Sequence, residues 1–122
     1  MMEIFNETGG FTISHGAQLR AGFFGRFRGL MLSKRKDIIL AAKSDSVMDC
    51  TIHMMFMLYP IDVIWANEKM QVVDVKKNIP AFNPLKPHTW SMHAPKKPAK
   101  YVIEIAKGEV NGTVEGNILS FR

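Results

Sequence analysis

The sequence contains a single cysteine, Cys50, among its 122 residues. One thiol cannot form an intramolecular disulfide, which excludes small disulfide-stapled scaffolds and is typical of a reducing compartment. The first ten residues, MMEIFNETGG, have no basic region followed by an apolar run, so we expect no secretion signal and a cytoplasmic location. The most apolar stretch, residues 47–65, is interrupted by two aspartates and a proline, and it is too short to predict a membrane span.

The sequence also lacks the common motifs of catalysis. It shows no glycine-rich phosphate loop, no legible pair of catalytic carboxylates and no Ser/His/Asp order. We therefore expect a non-catalytic module that binds a small molecule or a protein, rather than an enzyme, and we expect no cofactor.

The overall composition is that of an ordinary folded protein, with 47% hydrophobic and 22% charged residues. A chain of 122 residues can bury one core, so we expect one domain over residues 1–122. The formal charge of +5 would suit nucleic acid or acidic partners, but the basic residues are scattered rather than striped along one helix. Surface charge that maintains solubility is the favoured interpretation.

Short apolar runs separated by turn residues predict a mainly β fold, a sandwich or a barrel. The predicted strands cover residues 2–7, 11–15, 17–21, 38–42, 52–58, 62–66, 70–77, 100–106 and 117–121. Residues 22–32 are different, because Phe24, Phe27 and Met31 fall at helical spacing and predict one short helix. Residues 80–100 hold five of the six prolines and predict a long loop, with an edge strand over residues 89–93.

The central stretch carries candidate ligands for a soft metal ion, copper or zinc. Strand alternation places His53, Met55 and Met57 on one face and Cys50 on the other. A histidine of the proline-rich loop would have to complete the site, so the candidate metal ligands are Cys50, His53, His88 and His93. The favoured alternative is that the methionines and the cysteine fill a β core and that the thiol is inert.

Two charged residues, Arg28 and Asp62, lie in apolar surroundings and could pair. A bidentate Arg–Asp pair would hold the predicted helix against the sheet, and this structural role is favoured over a ligand-binding arginine. Glu104, between Ile103 and Ile105, is either an outward strand position or a partner of Arg28.

The loop over residues 80–100 mixes basic, aromatic and histidine side chains. Such a mixture can bind single-stranded nucleic acid through phosphate contacts and base stacking. The residues concerned are Lys86, Lys96, Lys97 and Lys100, with Phe82, His88, Trp90 and His93. No nucleic-acid motif accompanies them, so a solvated loop pinned by Trp90 is favoured.

Three blocks of the sequence resemble the signature blocks of domain of unknown function 192. They are residues 28–31, residues 50–54 leading into 59–64, and residues 101–108, and the resemblance extends over about residues 17–121. It implies a compact, mainly antiparallel β structure of sandwich or jelly-roll type with a short helix after the first strands, and it implies no activity. Many members carry Trp at the position of His53 and have no fixed cysteine at Cys50, whereas Met54, Pro60 and Asp62 belong to the common motif.

These observations predict a binding module for a small molecule or a protein. The first alternative is a soft-metal protein that uses His53 with nearby methionines and loop histidines. The second is a single-stranded nucleic-acid-binding protein that uses the basic loop. A function shared by the whole family cannot depend on Cys50 or His53.

Overall fold

The computed structural model describes residues 2–21, 36–53, 59–90 and 92–122, and within them it has nine β-strands and one 3₁₀ turn, Pro87–Trp90. The strands are β1 (Met2–Asn6), β2 (Phe11–Ala21), β3 (Asp37–Ser46), β4 (Ile52–His53), β5 (Ile61–Ala66), β6 (Val72–Ile79), β7 (Met92–His93), β8 (Ala99–Ile105) and β9 (Leu119–Phe121). The predicted mainly β fold is confirmed. The helix predicted over residues 22–32 lies outside the described residues. No helix in the described part of the chain is long and apolar enough to cross a membrane.

Seven strands form one curled sheet in the order β6-β5-β8-β3-β2-β1-β9, and β4 pairs with β7 in a separate ribbon. The sheet is mixed rather than wholly antiparallel, because β2 and β3 run parallel from Ala17 opposite Asp37 to Ala21 opposite Ala41. Parallel neighbours need a crossover of a dozen residues or more. The stretch between Ala21 and Asp37 is long enough to supply one.

Two strands are longer than the sequence pattern predicts. β2 is one strand from Phe11 to Ala21, and it continues past Gly16 through a register shift against β1. β3 continues beyond residue 42 to Ser46 although its last residues are polar, because that end of the strand is largely exposed. The strand predicted over residues 52–58 is shown only for its first two residues, and the rest lies outside the described part.

One core fills the inside of the curl. All seven strands contribute to it, with a valine from the loop after β8, and we call it the inner core: Ile4, Ile13, Ala17, Ile39, Ile64, Ala66, Val72, Ile103, Ile105, Val110 and Leu119. Burying an isoleucine, leucine or valine side chain contributes about 1.5–3 kcal/mol. The inner core therefore stabilises the packing of all seven strands against one another.

A second core, the outer core, covers the other face of β3, β5, β6 and β8. Side chains of these strands alternate with those of the inner core, and Cys50, Ile52 and Tyr59 pack onto them. Trp65 is completely buried there, and its Nε1 donates a hydrogen bond to the Cys50 carbonyl at 2.8 Å. That bond joins the segment before β4 to the sheet.

The two edges of the curled sheet meet at one point. The N–H of Val72 donates to the carbonyl of Asn117 at 2.8 Å, and the N–H of Leu119 donates to the carbonyl of Met70 at 2.9 Å. Buried Asn6 supports this junction, since its Nδ2 donates to Thr113 Oγ1 and to Asn117 Oδ1. The two edge strands are thereby joined at the start of β6.

Candidate functional site

Asp37, the first residue of β3, is only 4% exposed, and two other segments of the chain donate hydrogen bonds to its carboxylate. Oδ1 accepts from the N–H groups of Ala106 and Lys107 at 2.7 and 2.8 Å. The N–H of Gly108 lies 3.0 Å from Oδ2, and Ser14 Oγ donates to Oδ2 at 2.5 Å. A buried charge is tolerated when hydrogen bonds compensate for lost water, and four donors do so here.

Residues 106–108 can reach Asp37 only because residue 108 is glycine. A Cβ atom at that position would overlap the carbonyl oxygen of Ile13 and would lie 3.0 Å from Asp37 Oδ2. The N–H of Glu109 donates to the same Ile13 carbonyl at 2.9 Å, which holds the turn against β2. We call the group formed by Ser14, Asp37 and residues 106–108 the Asp37 turn.

A cleft with a basic rim opens on one side of the Asp37 turn. It has a volume of about 410 Å³ and is lined by His15, Gly16, Lys36, Asp37, Lys107 and Gly108. His15 Nδ1 lies 3.6 Å from a carboxylate oxygen of Glu3. None of the ion pairs in the described residues involves Lys36 or Lys107. We call this the basic cleft.

A smaller polar cleft of about 170 Å³ opens on the other side of the same turn. It is lined by Pro60, Ile61, Asp62, Asn78, Ile105, Ala106 and Gly108. Asp62 Oδ1 accepts the N–H of Asn78 at 2.8 Å, and Asn78 has a positive φ of 56°. Residues 59–64 and 101–108, which carry much of the family resemblance, meet here because β5 begins where β8 ends.

The two carboxylates singled out by the sequence lie on opposite faces of the sheet. Asp62 is opposite Ile105 of the inner core, whereas Glu104 is opposite Ile38 and Val63 of the outer core. Glu104 is fully buried, so the outward alternative for this residue is wrong. Arg28 lies outside the described residues, and its pairing with either carboxylate stays a prediction.

Cys50 has the environment of an unreactive core thiol. It is fully buried, and its Sγ donates to the carbonyl of Ala99 at 3.0 Å. Burial, with smaller contributions from the negative charges of Asp49 and Asp45, raises the pKa of the Cys50 thiol to about 12. A thiol with so high a pKa is almost wholly protonated at neutral pH and is a poor nucleophile.

The ribbon of β4 and β7 places the predicted histidines in neighbouring strands. His53 is opposite Met92, and His93 is opposite the buried Ile52. His88 is exposed in the 3₁₀ turn. Among the described residues, no three His, Cys, Asp or Glu side chains are arranged to hold a metal ion. Met55, Met57 and the side chains of His53 and Trp90 lie outside the described part, so the metal site is untested there.

Part of the basic loop is engaged with an acidic residue. Lys96 Nζ lies 2.6 Å from Glu115 Oε1, and Lys97 Nζ lies 2.8 Å from Glu115 Oε2. The N–H of Lys96 also donates to Asp74 Oδ2 at 3.1 Å. These contacts hold the loop against β6 and reduce the positive charge that a nucleic acid would meet.

The sequence pattern did not single out Asp37 or Ser14. Residues 33–37 look like a solvated charged connection, because three of them are basic and one is acidic. The only local signal was that Asp37 directly precedes an apolar strand. The three N–H groups that it binds come from a turn about 70 residues away.

Comparison with known proteins agrees with the resemblance found in the sequence. The model of the family DUF192, described as "Uncharacterized ACR", matches residues 7–121, a range that begins earlier than expected. A UPF0127 protein of Thermococcus kodakarensis is 34% identical over 122 residues, which cover 97% of this chain and 72% of the relative. A UPF0127 protein of Thermococcus gammatolerans is 36% identical over 123 residues, which cover 97% and 74%.

Two crystal structures share the fold. A protein of Sinorhizobium meliloti named "putative transcription regulator" has a TM-score of 0.76 and 16% identity, with 98% of this chain and 91% of that chain covered. A protein of unknown function from Novosphingobium aromaticivorans has a TM-score of 0.65 and 17% identity, with 98% and 82% covered. Identities this low support the fold alone. The family match over residues 7–121 and the relative that is 34% identical show the family as well as the fold. The chain belongs to the DUF192 (UPF0127) family.

Proposed function

We propose that the protein is a binding module for a small anionic molecule, which it holds in the basic cleft. The observation that carries this proposal is the pair Lys36 and Lys107, which flank the cleft and take part in no described ion pair. His15 is the third basic residue of the lining.

Among the described lining residues, Asp37 is the only acidic one, and its charge is already compensated. Four internal donors surround its carboxylate. The carboxylate therefore forms part of the floor of the cleft and competes only weakly with an external anion for the two lysines. The two lysines extend from adjacent strand ends, because β3 begins and β8 ends at this point. A volume of about 410 Å³ is within the range of sites that hold small molecules.

Binding can be tested with inorganic phosphate and citrate as probes, followed by two-dimensional NMR of the backbone amides. We expect saturable shifts at residues 15, 16, 36, 107 and 108 that weaken as salt is added, since partly exposed charges are screened. The double variant Lys36→Ala/Lys107→Ala should bind about tenfold more weakly, as expected for the loss of two exposed charge contacts.

Lys69→Ala is the matched control, because Lys69 is an exposed lysine in the turn between β5 and β6. It should bind both probes as the wild type does. Amide shifts that do not saturate would contradict the proposal. So would an equal loss of affinity in Lys69→Ala, because the anions would then be attracted only by the net positive charge of the protein.

A further inference from the structure

A second cavity lies at the other end of β3, and its chemistry differs from that of the basic cleft. Its volume is about 460 Å³, and we call it the apolar mouth: Leu19, Ala41, Ala42, Lys43, Lys100, Tyr101 and Phe121. Ala42 is five residues from Asp37 along the strand, which places the two sites about 16 Å apart. The two cavities have no lining residue in common.

The floor of the apolar mouth is made of exposed parts of the inner face. Tyr101 and Phe121 pack edge to face with 5.3 Å between ring centroids, and both are only partly buried against the inner core. Tyr101 is opposite the small Ala41, which leaves space above the sheet, and Leu19 is 49% exposed. Apolar surface left in water at one place on a fold is typical of a binding surface.

The described charge at the apolar mouth is positive. Among the described residues that line the mouth, Lys43 and Lys100 are the charged ones, and none is Asp or Glu. Lys100 Nζ lies 5.7 Å from the centroid of the Tyr101 ring, close enough for a cation–π contact that keeps the ammonium group beside the apolar floor. A ligand that fits this surface therefore has an apolar body and one negative group.

We infer that the apolar mouth binds a small aliphatic carboxylate. The hydrocarbon chain lies on Leu19, Tyr101 and Phe121, and the carboxylate contacts Lys43 and Lys100. Apolar lining with a few placed polar groups is the usual composition of small-molecule sites, and it distinguishes this site from the basic cleft. Phosphate and citrate have no apolar body, and they are not ligands of the mouth.

The test uses octanoate and its uncharged analogue octanol with the full chain, measured by titration calorimetry and by NMR of the backbone amides. Wild-type protein should bind octanoate with saturable shifts at residues 19, 41, 43, 100 and 121. Lys43→Ala/Lys100→Ala should weaken octanoate binding about tenfold and change octanol binding little, since only octanoate loses charge contacts. Lys36→Ala/Lys107→Ala should leave octanoate binding unchanged.

A second variant tests the apolar floor. Leu19→Glu places a negative charge beside the ligand at a half-exposed position, and it should abolish octanoate binding without unfolding the protein. Val114→Glu is the matched control, because Val114 is 58% exposed in the loop between β8 and β9 and is not among the described lining residues of the mouth. Absence of saturable binding to wild type, or equal octanoate binding by all variants, would overturn the inference. A different outcome would also overturn the inference: wild type sediments as a dimer, Leu19→Glu sediments as a monomer, and neither binds octanoate. The mouth would then be an interface between two copies of the chain.

Discussion

Asp37 shows how one side chain can join segments that are distant in sequence. Its carboxylate accepts a hydrogen bond from Ser14 of β2 and three from the turn that follows β8, while its own backbone begins β3. Hydrogen bonds to a charged acceptor are about twice as strong as neutral ones. The Asp37 carboxylate therefore joins three segments at the end of the sheet that carries the basic cleft.

Asp37→Ala tests this dependence. Removing the carboxylate leaves main-chain donors buried without an acceptor, at a cost of about 1–3 kcal/mol for each donor that water cannot reach. We expect the free energy of unfolding in urea to fall by at least about 3 kcal/mol. Asp45→Ala is the control, because Asp45 is exposed and, among the described residues, its side chain accepts the N–H of Glu68 alone. Similar losses in both variants would contradict the role given to Asp37.

Cys50 permits a test at high pH. The pKa of its thiol rises from 9.0 to about 12 on folding, so above pH 9 the unfolded chain loses a proton that the folded chain keeps. The free energy of unfolding should then decrease as pH rises from 9 towards 12. This decrease should be smaller in Cys50→Ala.

Alkylation measures the burial of the same thiol. At neutral pH, iodoacetamide should react with Cys50 far more slowly in the native protein than in protein unfolded by urea. Equal rates in the two states would contradict the buried position of Cys50.

At the scale of elements, the turn after β8 depends on the absence of a side chain at Gly108. In Gly108→Ala the new methyl group overlaps the Ile13 carbonyl, so the turn must move away from β2 and from Asp37. We expect a loss of about 1–3 kcal/mol, the usual cost of forcing extra atoms into a packed site. Gly112→Ala is a matched control in the same loop, because its Cβ would meet no atom within 4 Å. Its stability should stay within about 0.5 kcal/mol of wild type.

The proline-rich loop is held by an exposed ionic cluster, which gives it a pH dependence. Hydrogen bonds from Lys96 and Lys97 lower the pKa of Glu115 from 4.5 to about 2. Between these values the unfolded chain binds the proton more readily, so the contribution of Glu115 to stability is present above pH 4.5 and is lost as pH falls towards 2. Thermal midpoints of wild type and Glu115→Gln should converge over this range. A constant difference would contradict the pairing.

At the scale of the whole molecule, the fold depends on the closure of a curled sheet. The backbone hydrogen bonds between Val72 and Asn117 and between Met70 and Leu119 join its two edge strands. Asn6 supports this junction through its hydrogen bonds to Thr113 and Asn117. Sheet edges that are not paired are open to other chains. Closure at this point limits the exposed edge.

Hydrogen exchange measures this closure. In wild type, the amides of Val72 and Leu119 should exchange within about tenfold of Ile103 in central β8, as members of one cooperative unit do. Asn6→Ala removes a buried partner of Thr113 and should accelerate exchange at both edge amides before it affects Ile103. Asn83→Ala, in the proline-rich loop, should leave the pattern unchanged. Uniform acceleration throughout the sheet would mean that Asn6 does not act at the junction.

The two ends of this curled sheet present different surfaces. One carries the basic cleft beside the Asp37 turn, and the other carries the apolar mouth with Lys43 and Lys100. Both proposals rest on charge and shape at described residues, and their variant pairs serve as controls for each other. Comparable measurements on the Thermococcus relatives would show whether either site is a property of the DUF192 family.

The sequence by itself determined the strands and the family. Short apolar runs rich in β-branched and aromatic residues, with turn residues between β5 and β6, predict β5, β6 and β8, because such residues favour strands. The residue type itself predicted that Cys50 is an inert core thiol, because free cysteine is among the most buried residue types. The order of the signature blocks predicted membership of DUF192, which the family match confirmed.

Only the tertiary structure decided which residues meet. The parallel pairing of β2 with β3, the burial of Asp37 against residues 106–108, and the positions of Asp62 and Glu104 on opposite faces all depend on strand order. Strand order is set by the packing of two cores and by contacts between residues far apart in the chain. Local periodicity in the sequence does not predict such long-range contacts. A charged residue such as Asp37 therefore looks solvated in the sequence and is buried in the fold, because its donors arrive from a distant turn.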